Sequence, residues 1–348
     1  MITVLLCTHN GVRFVTEQLD SLLAQSVSPD RIIISDDAST DGTWEVLRRY
    51  AQEHPAISIR RHQPNRVPLP PTESRFTTAP PNTQAEAHPQ TGDGRGRAGQ
   101  ARDVPPLPAT ARNFLDLMVG ERDDYLMLCD QDDVWHPDKI AVTLAKMRDM
   151  EARYGSDSPC LTHTDLSVVD ETLQVINPSF REAMNANWAR TTLRDQIVQN
   201  TATGCTIMYN RALANLLTEV PRYTVMHDWW LPLVACAFGH MEPLYAATIS
   251  YRQHGGNVVG AKDMRTFSYK FRLALNLDEI NHAVRRTYPQ AAELLRIYGA
   301  DLSADTVAML ATYVNLPALS KLGRVATVVR EGFWKTGLAR NLAYLLVV

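Results

Sequence analysis

Short apolar runs alternate with amphipathic stretches along the first third of the chain. Ile2 to Cys7 is almost wholly apolar and stops at the polar turn Thr8-His9-Asn10-Gly11. Such a run predicts a strand buried on both faces. Phe14, Val15, Leu19, Leu22 and Leu23 then fall on one face of a predicted helix, which Pro29-Asp30 ends. Ile32-Ile33-Ile34 predicts a second strand, followed by the polar loop Asp36-Asp37-Ala38-Ser39-Thr40-Asp41-Gly42. Trp44, Leu47 and Tyr50 open another helix, and Ile57 to Arg61 reads as a third strand. Strands alternating with helices imply right-handed crossovers and a mainly parallel sheet.

The rhythm breaks at about residues 66–108, a stretch rich in Pro, Thr, Gly, Gln and Arg with almost no large apolar side chains. It lacks the apolar surface to offset its ordering entropy and reads as a disordered insertion. Within it, Gly94-Arg95-Gly96-Arg97-Ala98-Gly99 matches GxGxxG formally, but no strand precedes it and no apolar helix follows. The dinucleotide-binding context is therefore missing.

Alternation resumes with a helix at Asn113-Phe114-Leu115 and a strand from Tyr125 to Cys129. Ile140, Leu144 and Met147 mark the helix after Pro137, and Cys160 to His163 reads as a short strand. Leu193 to Val198 is helical in pattern, while Thr206–Tyr209 and Ile249–Tyr251 resemble strands. From about Phe267 the pattern is helical, and the division expected is residues 1–260 as an α/β domain with 261–348 as a helical region. The apolar stretch from Leu338 to Val348 lies near Arg324, Arg330, Lys335 and Arg340. A basic amphipathic helix suits an anionic membrane surface, and docking on its own domain is equally economical.

Composition narrows the partners. The 348 residues are 45% hydrophobic with net charge −3, so a sizeable core is available and no global basic field points to nucleic acid. Five scattered cysteines, Cys7, Cys129, Cys160, Cys205 and Cys236, show no CxxC spacing and read as reduced thiols. Met1 to Leu6 lacks a basic n-region, so no signal peptide is read, and no apolar run reaches a membrane-spanning length. The expected location is cytoplasmic, with the C-terminal region as the candidate for peripheral attachment to the inner face of the plasma membrane.

The densest chemistry is Asp130-Gln131-Asp132-Asp133, placed directly after the Tyr125–Cys129 strand. Ligands bind beyond the carboxyl ends of strands in open α/β sheets. Carboxylates this crowded repel unless a proton or a cation relieves them. Oxygen ligands suit Mg²⁺ or Mn²⁺. A solvated acidic turn capping the next helix is the plainer alternative.

Thr8-His9-Asn10, the Asp36–Gly42 loop, Asp130-Gln131-Asp132-Asp133-Val134-Trp135 and His227-Asp228-Trp229-Trp230 follow one another in order along the chain. In that order the chain resembles the family 2 glycosyltransferases. Within them it is similar to the branch of bacterial rhamnosyltransferases. The resemblance covers residues 1–65 and 113–258. It implies the GT-A fold: an α/β architecture with a mainly parallel nucleotide-binding sheet flanked by helices, here followed by a helical C-terminal region.

It also implies roles. Thr8 and Asn10 would contact the nucleotide. Asp37, with Asp36 beside it, would hydrogen-bond base or ribose; the alternative is that Asp36 to Asp41 only cap the next helix. Asp130 and Asp132 would form the DxD pair, Asp132 on the metal and Asp130 on the ion or the ribose. His254 would complete the metal site, with Arg252 or Asn257 assisting the diphosphate. Asp228 would be the catalytic base of an inverting transfer, with Trp229 and Trp230 either walling the site or packing in the core. The implied cofactor is Mg²⁺ or Mn²⁺. The implied partners are a nucleoside-diphosphate sugar, carrying rhamnose among the options, and a glycan or lipid-linked acceptor of a bacterial surface polysaccharide. The alternatives are a nucleotidyltransferase, whose Gly-rich phosphate loop Thr8-His9-Asn10-Gly11 does not match, and a catalytically silent nucleotide-sugar binding protein.

Overall fold

A computed structural model describes residues 1–63, 106–254 and 277–348. The sequence-predicted insertion at 66–108 lies outside the described residues except for its last three, and so does Asn257.

Strands β1 (Ile2–Thr8), β2 (Arg31–Asp36) and β3 (Ile57–Arg61) alternate with helices α1 (Val15–Leu23) and α2 (Thr43–Glu53). Helix α3 (Ala109–Gly120), β4 (Tyr125–Cys129), the short β5 (Val134–Trp135) and α4 (Lys139–Tyr154) follow. Next come β6 (Cys160–Val169), β7 (Val175–Asn177), α5 (Phe180–Ala183), α6 (Leu193–Val198), β8 (Ile207–Asn210), α7 (Arg211–Leu216), α8 (His227–Phe238) and β9 (His240–Arg252). The last described segment holds α9 (Leu277–Tyr298), α10 (Ala304–Val314), α11 (Lys321–Glu331) and α12 (Leu338–Val347).

One nine-stranded sheet runs β3-β2-β1-β4-β8-β6-β9-β5, with β7 on β6. Its first four strands are parallel, with Thr8 opposite Asp36 and Leu6 opposite Cys129. Their polar ends therefore meet along one edge. The other half is mixed, because β8 runs antiparallel to both β4 and β6 while β6 and β9 are parallel.

Period-two alternation in β1 feeds two apolar layers. Val4 and Leu6 pack with Val15, Leu19, Leu47 and Met147 on one side of the sheet. Leu5 and Cys7 pack with Phe114, Trp230 and Leu233 on the other. That second layer continues through Tyr298, Tyr313, Phe333 and Tyr344, so the C-terminal helices share an apolar cluster with the sheet. Each fully buried aliphatic side chain contributes about 1.5–3 kcal/mol.

Two strands exceed what the pattern predicts. The run read as Cys160–His163 is the first part of the ten-residue β6, and Ile249–Tyr251 is the end of the thirteen-residue β9. Strand β9 holds Glu242, Pro243 and an exposed Tyr245, so it shows no clean alternation. Its place is set by pairing with β6, where register shifts accommodate the irregular residues.

Candidate active site

The loops after β1 and β2 interlock. Thr8 is buried and its hydroxyl donates to Asp36 Oδ1 at 2.9 Å. Asp36 is fully buried and also accepts from the Ser39 amide at 3.1 Å, the Ser39 hydroxyl at 2.5 Å and Arg61 at 2.6 Å. A buried carboxylate needs such partners. Asn10 takes a left-handed conformation, φ 48°, and its Oδ1 accepts the Thr40 amide at 2.9 Å. Ala38 is also left-handed, φ 55°, which costs an L-residue about 1–2 kcal/mol. Asp41 holds the start of α2 by accepting the Thr43 amide at 3.0 Å.

Asp37 stays at the surface of this loop. Its carboxylate meets His62 Nδ1 at 2.9 Å, while His62 Nε2 meets Asp116 of α3 at 2.8 Å. The hydrogen bond to Asp116, opposed by burial and helped by Asp37, raises the His62 pKa.

The loop after β4 is tied to the first by Gln131. Its amide accepts from the His9 backbone N–H at 2.8 Å and donates to the His9 carbonyl at 3.1 Å. Gly11 leaves the room: an added Cβ would lie 2.3 Å from Gln131 Oε1. Neighbouring carboxylates diverge in direction. Asp132 Oδ2 meets His254 Nε2 at 2.8 Å, both side chains half-buried at the sheet edge. Asp133 is fully buried, accepts the Arg252 amide at 3.1 Å with one oxygen, and leaves the other without a partner among the described residues. Burial, and then the charge of Asp132 and Asp130, raises its pKa well above the usual carboxylate range. Asp130 is pushed up to about 7 by burial, with Asp132 and Asp228 adding like charge.

His227 and Asp228 open α8. Asp228 therefore sits at a helix N-terminus, where the backbone dipoles favour negative charge. Its Oδ2 accepts the Gly204 amide at 3.1 Å, and burial outweighs that hydrogen bond to push its pKa up to about 6. His227 stacks on Phe114 at 4.0 Å and is held neutral by burial, its pKa falling to about 3. Trp229 donates to the Gln196 carbonyl at 2.6 Å, and Trp230 is buried in the core beside Tyr298.

The structure thus brings Asp130, Asp132, His254 and Asp228 to one end of the sheet, with Thr8, Asn10, Asp36 and Asp37 at the neighbouring strand ends. Arg252 is turned to structural work: it pairs with Glu17 and donates to the backbone carbonyls of Asp132 at 2.9 Å and Glu171 at 2.6 Å. His163 is buried in β6 and packs edge-on against Trp188, which in turn stacks with Tyr245.

Sequence reasoning missed His62, Gln131 and Lys139. His62 lies at the end of β3 without a motif around it. Lys139 is fully buried, and burial pulls its pKa down to about 8, with Cys205, Cys129 and Asp133 opposing that fall. Its ammonium lies 4.6 Å from the Trp135 ring centre, a contact that no sequence pattern marks.

Two donor sets for a cation can be compared. Asp130, Asp133 and Cys205 offer ligand atoms within 4.8 Å of one another. Burial raises the Cys205 thiol pKa, so that set offers a protonated sulfur to a hard ion. Asp132 and His254, 2.8 Å apart at the sheet edge, offer a carboxylate oxygen and an imidazole nitrogen without a thiol, though the two do not form a group of three with Asp130 within 4.8 Å among the described residues.

Among known proteins, the sequence model described as Glycosyl transferase family 2 matches residues 3–68. A dTDP-rhamnosyl transferase of Shigella flexneri, RfbG, is 25% identical over 284 residues, covering 78% of each chain. Among solved structures, Staphylococcus aureus TarS 1–349 in complex with UDP-GlcNAc aligns with TM-score 0.48 at 13% identity, over 99% of this chain and 90% of that one. A mannosyltransferase of Pyrobaculum calidifontis, in complex with GDP-Man and Mn²⁺, aligns with TM-score 0.45 at 18% identity, over 99% and 86%. At residues 3–68 the chain is thus similar to glycosyl transferase family 2, and along most of both chains to a rhamnosyl transferase.

Proposed function

We propose that the chain is an inverting glycosyltransferase that moves a sugar from a nucleoside diphosphate to a hydroxyl of a bacterial surface glycan. The observation that carries this reading is Asp228: a carboxylate held by a backbone amide at a helix N-terminus, its pKa at about 6, beside the acidic end of β4. At neutral pH it is mostly ionised and free to accept a proton. Similarity to a dTDP-rhamnosyl transferase makes dTDP-rhamnose the first donor to test.

In the proposed step the acceptor oxygen attacks the anomeric carbon as its proton passes to Asp228. The bond from that carbon to the diphosphate oxygen breaks, and its electron pair leaves with the nucleoside diphosphate. Asp132 and His254, with Asp130, would hold the Mg²⁺ or Mn²⁺ ion. When bound, such an ion supplies the positive charge that steadies the leaving diphosphate. Asp37, Thr8 and Asn10 would face the nucleotide, and Asp36 would act by shaping the loop that presents Asp37. The indole of Trp229, fixed to Gln196, would narrow the acceptor side and limit water.

The test is paired. Asp228→Asn keeps the shape and removes the basicity. Donor affinity should stay near wild type while turnover with a competent acceptor collapses. Near-wild-type turnover would remove Asp228 from the chemistry.

A further inference from the structure

The last two helices expose an apolar surface that the transfer reaction does not use. On α12, Leu338 is 77% exposed, Leu342 56% and Leu346 66%, spaced four residues apart along one face. On α11, Leu322 is 83% exposed, and Val329, seven residues on, shares its face. The two faces are joined, because Lys321 donates to the carbonyls of Leu345 and Leu346 at 2.8 Å each. Helix α12 also buries Ala343 and Tyr344 on its inner side, so it is apolar nearly all round. A helix of that kind is ordinarily covered, and an exposed apolar patch of this extent ordinarily marks an interaction site.

Charge identifies the occupant. Residues 316–348 carry Lys321, Arg324, Arg330, Lys335 and Arg340 against Glu331 alone, a net +4 in a chain of net −3. Lys335 and Arg340 are turned inward onto backbone carbonyls of Val198 and Met184. On α11, Lys321 is held on the carbonyls at the end of α12 and the exposed Arg330 pairs with Glu331 at 2.9 Å, while Arg324 of α11 and Arg285 of α9 both place positive charge near Tyr288. Leucines beside basic side chains match the boundary between acyl chains and anionic headgroups. A second copy of the chain would bring like charge against like charge across a two-fold interface.

We propose that the joined outer faces of α11 and α12 dock on an anionic lipid surface, lying in its plane. No helix among the described residues is long and apolar enough to cross a membrane, so docking rather than spanning is the mode. The inference does not depend on the proposed transfer reaction, and its readout is independent of activity.

The experiment is vesicle flotation of the full chain. The probes are phosphatidylcholine alone and phosphatidylcholine mixed with phosphatidylglycerol. Binding should be at least about tenfold tighter to the anionic vesicles and should weaken with salt. Leu338→Glu with Leu342→Glu and Leu346→Glu should abolish flotation while the melting temperature and donor-nucleotide affinity stay put. If that triple variant misfolds, Leu342→Asn alone should still show partial loss. Arg330→Gln should weaken anionic binding about fivefold, the value of one basic residue near such a surface. A wild-type chain that does not float, or leucine variants that float as well as wild type, would overturn the proposal. A concentration-dependent dimer that the leucine variants abolish would instead give the face to a second copy.

Discussion

The acidic groups after β2 and those after β4 live in opposite circumstances. Asp36 is fully buried yet fully served, by Thr8, Ser39 and Arg61. Asp37 is met by His62, which Asp116 holds from the other side. After β4, Asp133 keeps an oxygen without a partner among the described residues, and Asp130 is pushed up to about 7. Asp228, facing the same end, is pushed up to about 6. The carboxylates of the β2 loop are met by partners from β1 and the end of β3. At the β4 end burial and like charge favour the protonated carboxyls, which is where a cation or a transferred proton has something to relieve.

The largest test of that contrast is at Asp228. Asp228→Asn should lower turnover by about 10²–10⁴-fold, the usual worth of general-base assistance. In the wild type, the rate should fall on acidification through about pH 6, because protonation of Asp228 removes the base. A pH–rate profile in which the Asn variant keeps the same acid limb would assign that limb elsewhere.

Next is the cation. Asp132→Ala should cost about two orders of magnitude in Mn²⁺-supported nucleotide affinity, since even outer partners of metal ligands are worth ~10–100-fold. Titration calorimetry with and without Mn²⁺ measures it. Unchanged affinity would show that the crowded carboxyls at β4 serve something other than an ion.

Gly204→Ala probes position rather than charge. The new Cβ would lie 2.9 Å from His227 Nε2 and 3.3 Å from Asp228 Cβ, so the start of α8 must shift. Turnover should drop about ten- to a hundredfold, the penalty for ångström-scale misplacement. Donor affinity should change little, and kinetics set beside nucleotide titration would separate the two.

The smallest effect is on the β2 side. His62 is raised above its unfolded value, so its stabilising contribution is fully present below about pH 6.5 and fades as pH rises through the folded value. His62→Gln should therefore destabilise by about 1 kcal/mol near pH 6, with a smaller difference at pH 8. Denaturant melts at both pH values check the sign. A difference that grows with pH would mean His62 is neutral in the loop.

Much of the donor-side half was legible because its signals are local. Ile2 to Cys7, Ile32 to Ile34 and Tyr125 to Cys129 are apolar runs bounded by turn residues, and each is a strand. The mixed half was less legible. Strand β9 has no alternation to read, since both its register and its length come from β6. His62 carries no motif, and its role exists only because β3 ends beside α3. Arg252 looked like a diphosphate contact from its neighbours in sequence, but Glu17 and two carbonyls claim it from distant segments.

The sequence by itself determined the strand–helix alternation, the polar strand ends and the residue types gathered there, because these depend on period and on nearest neighbours. Tertiary structure decided which carboxyls are paired and which are left to burial and like charge. That depends on burial and on partners far along the chain: Arg61 for Asp36, His254 for Asp132, Gly204 for Asp228. Desolvation and charge pairing are properties of the assembled edge, so no stretch of sequence carries them alone.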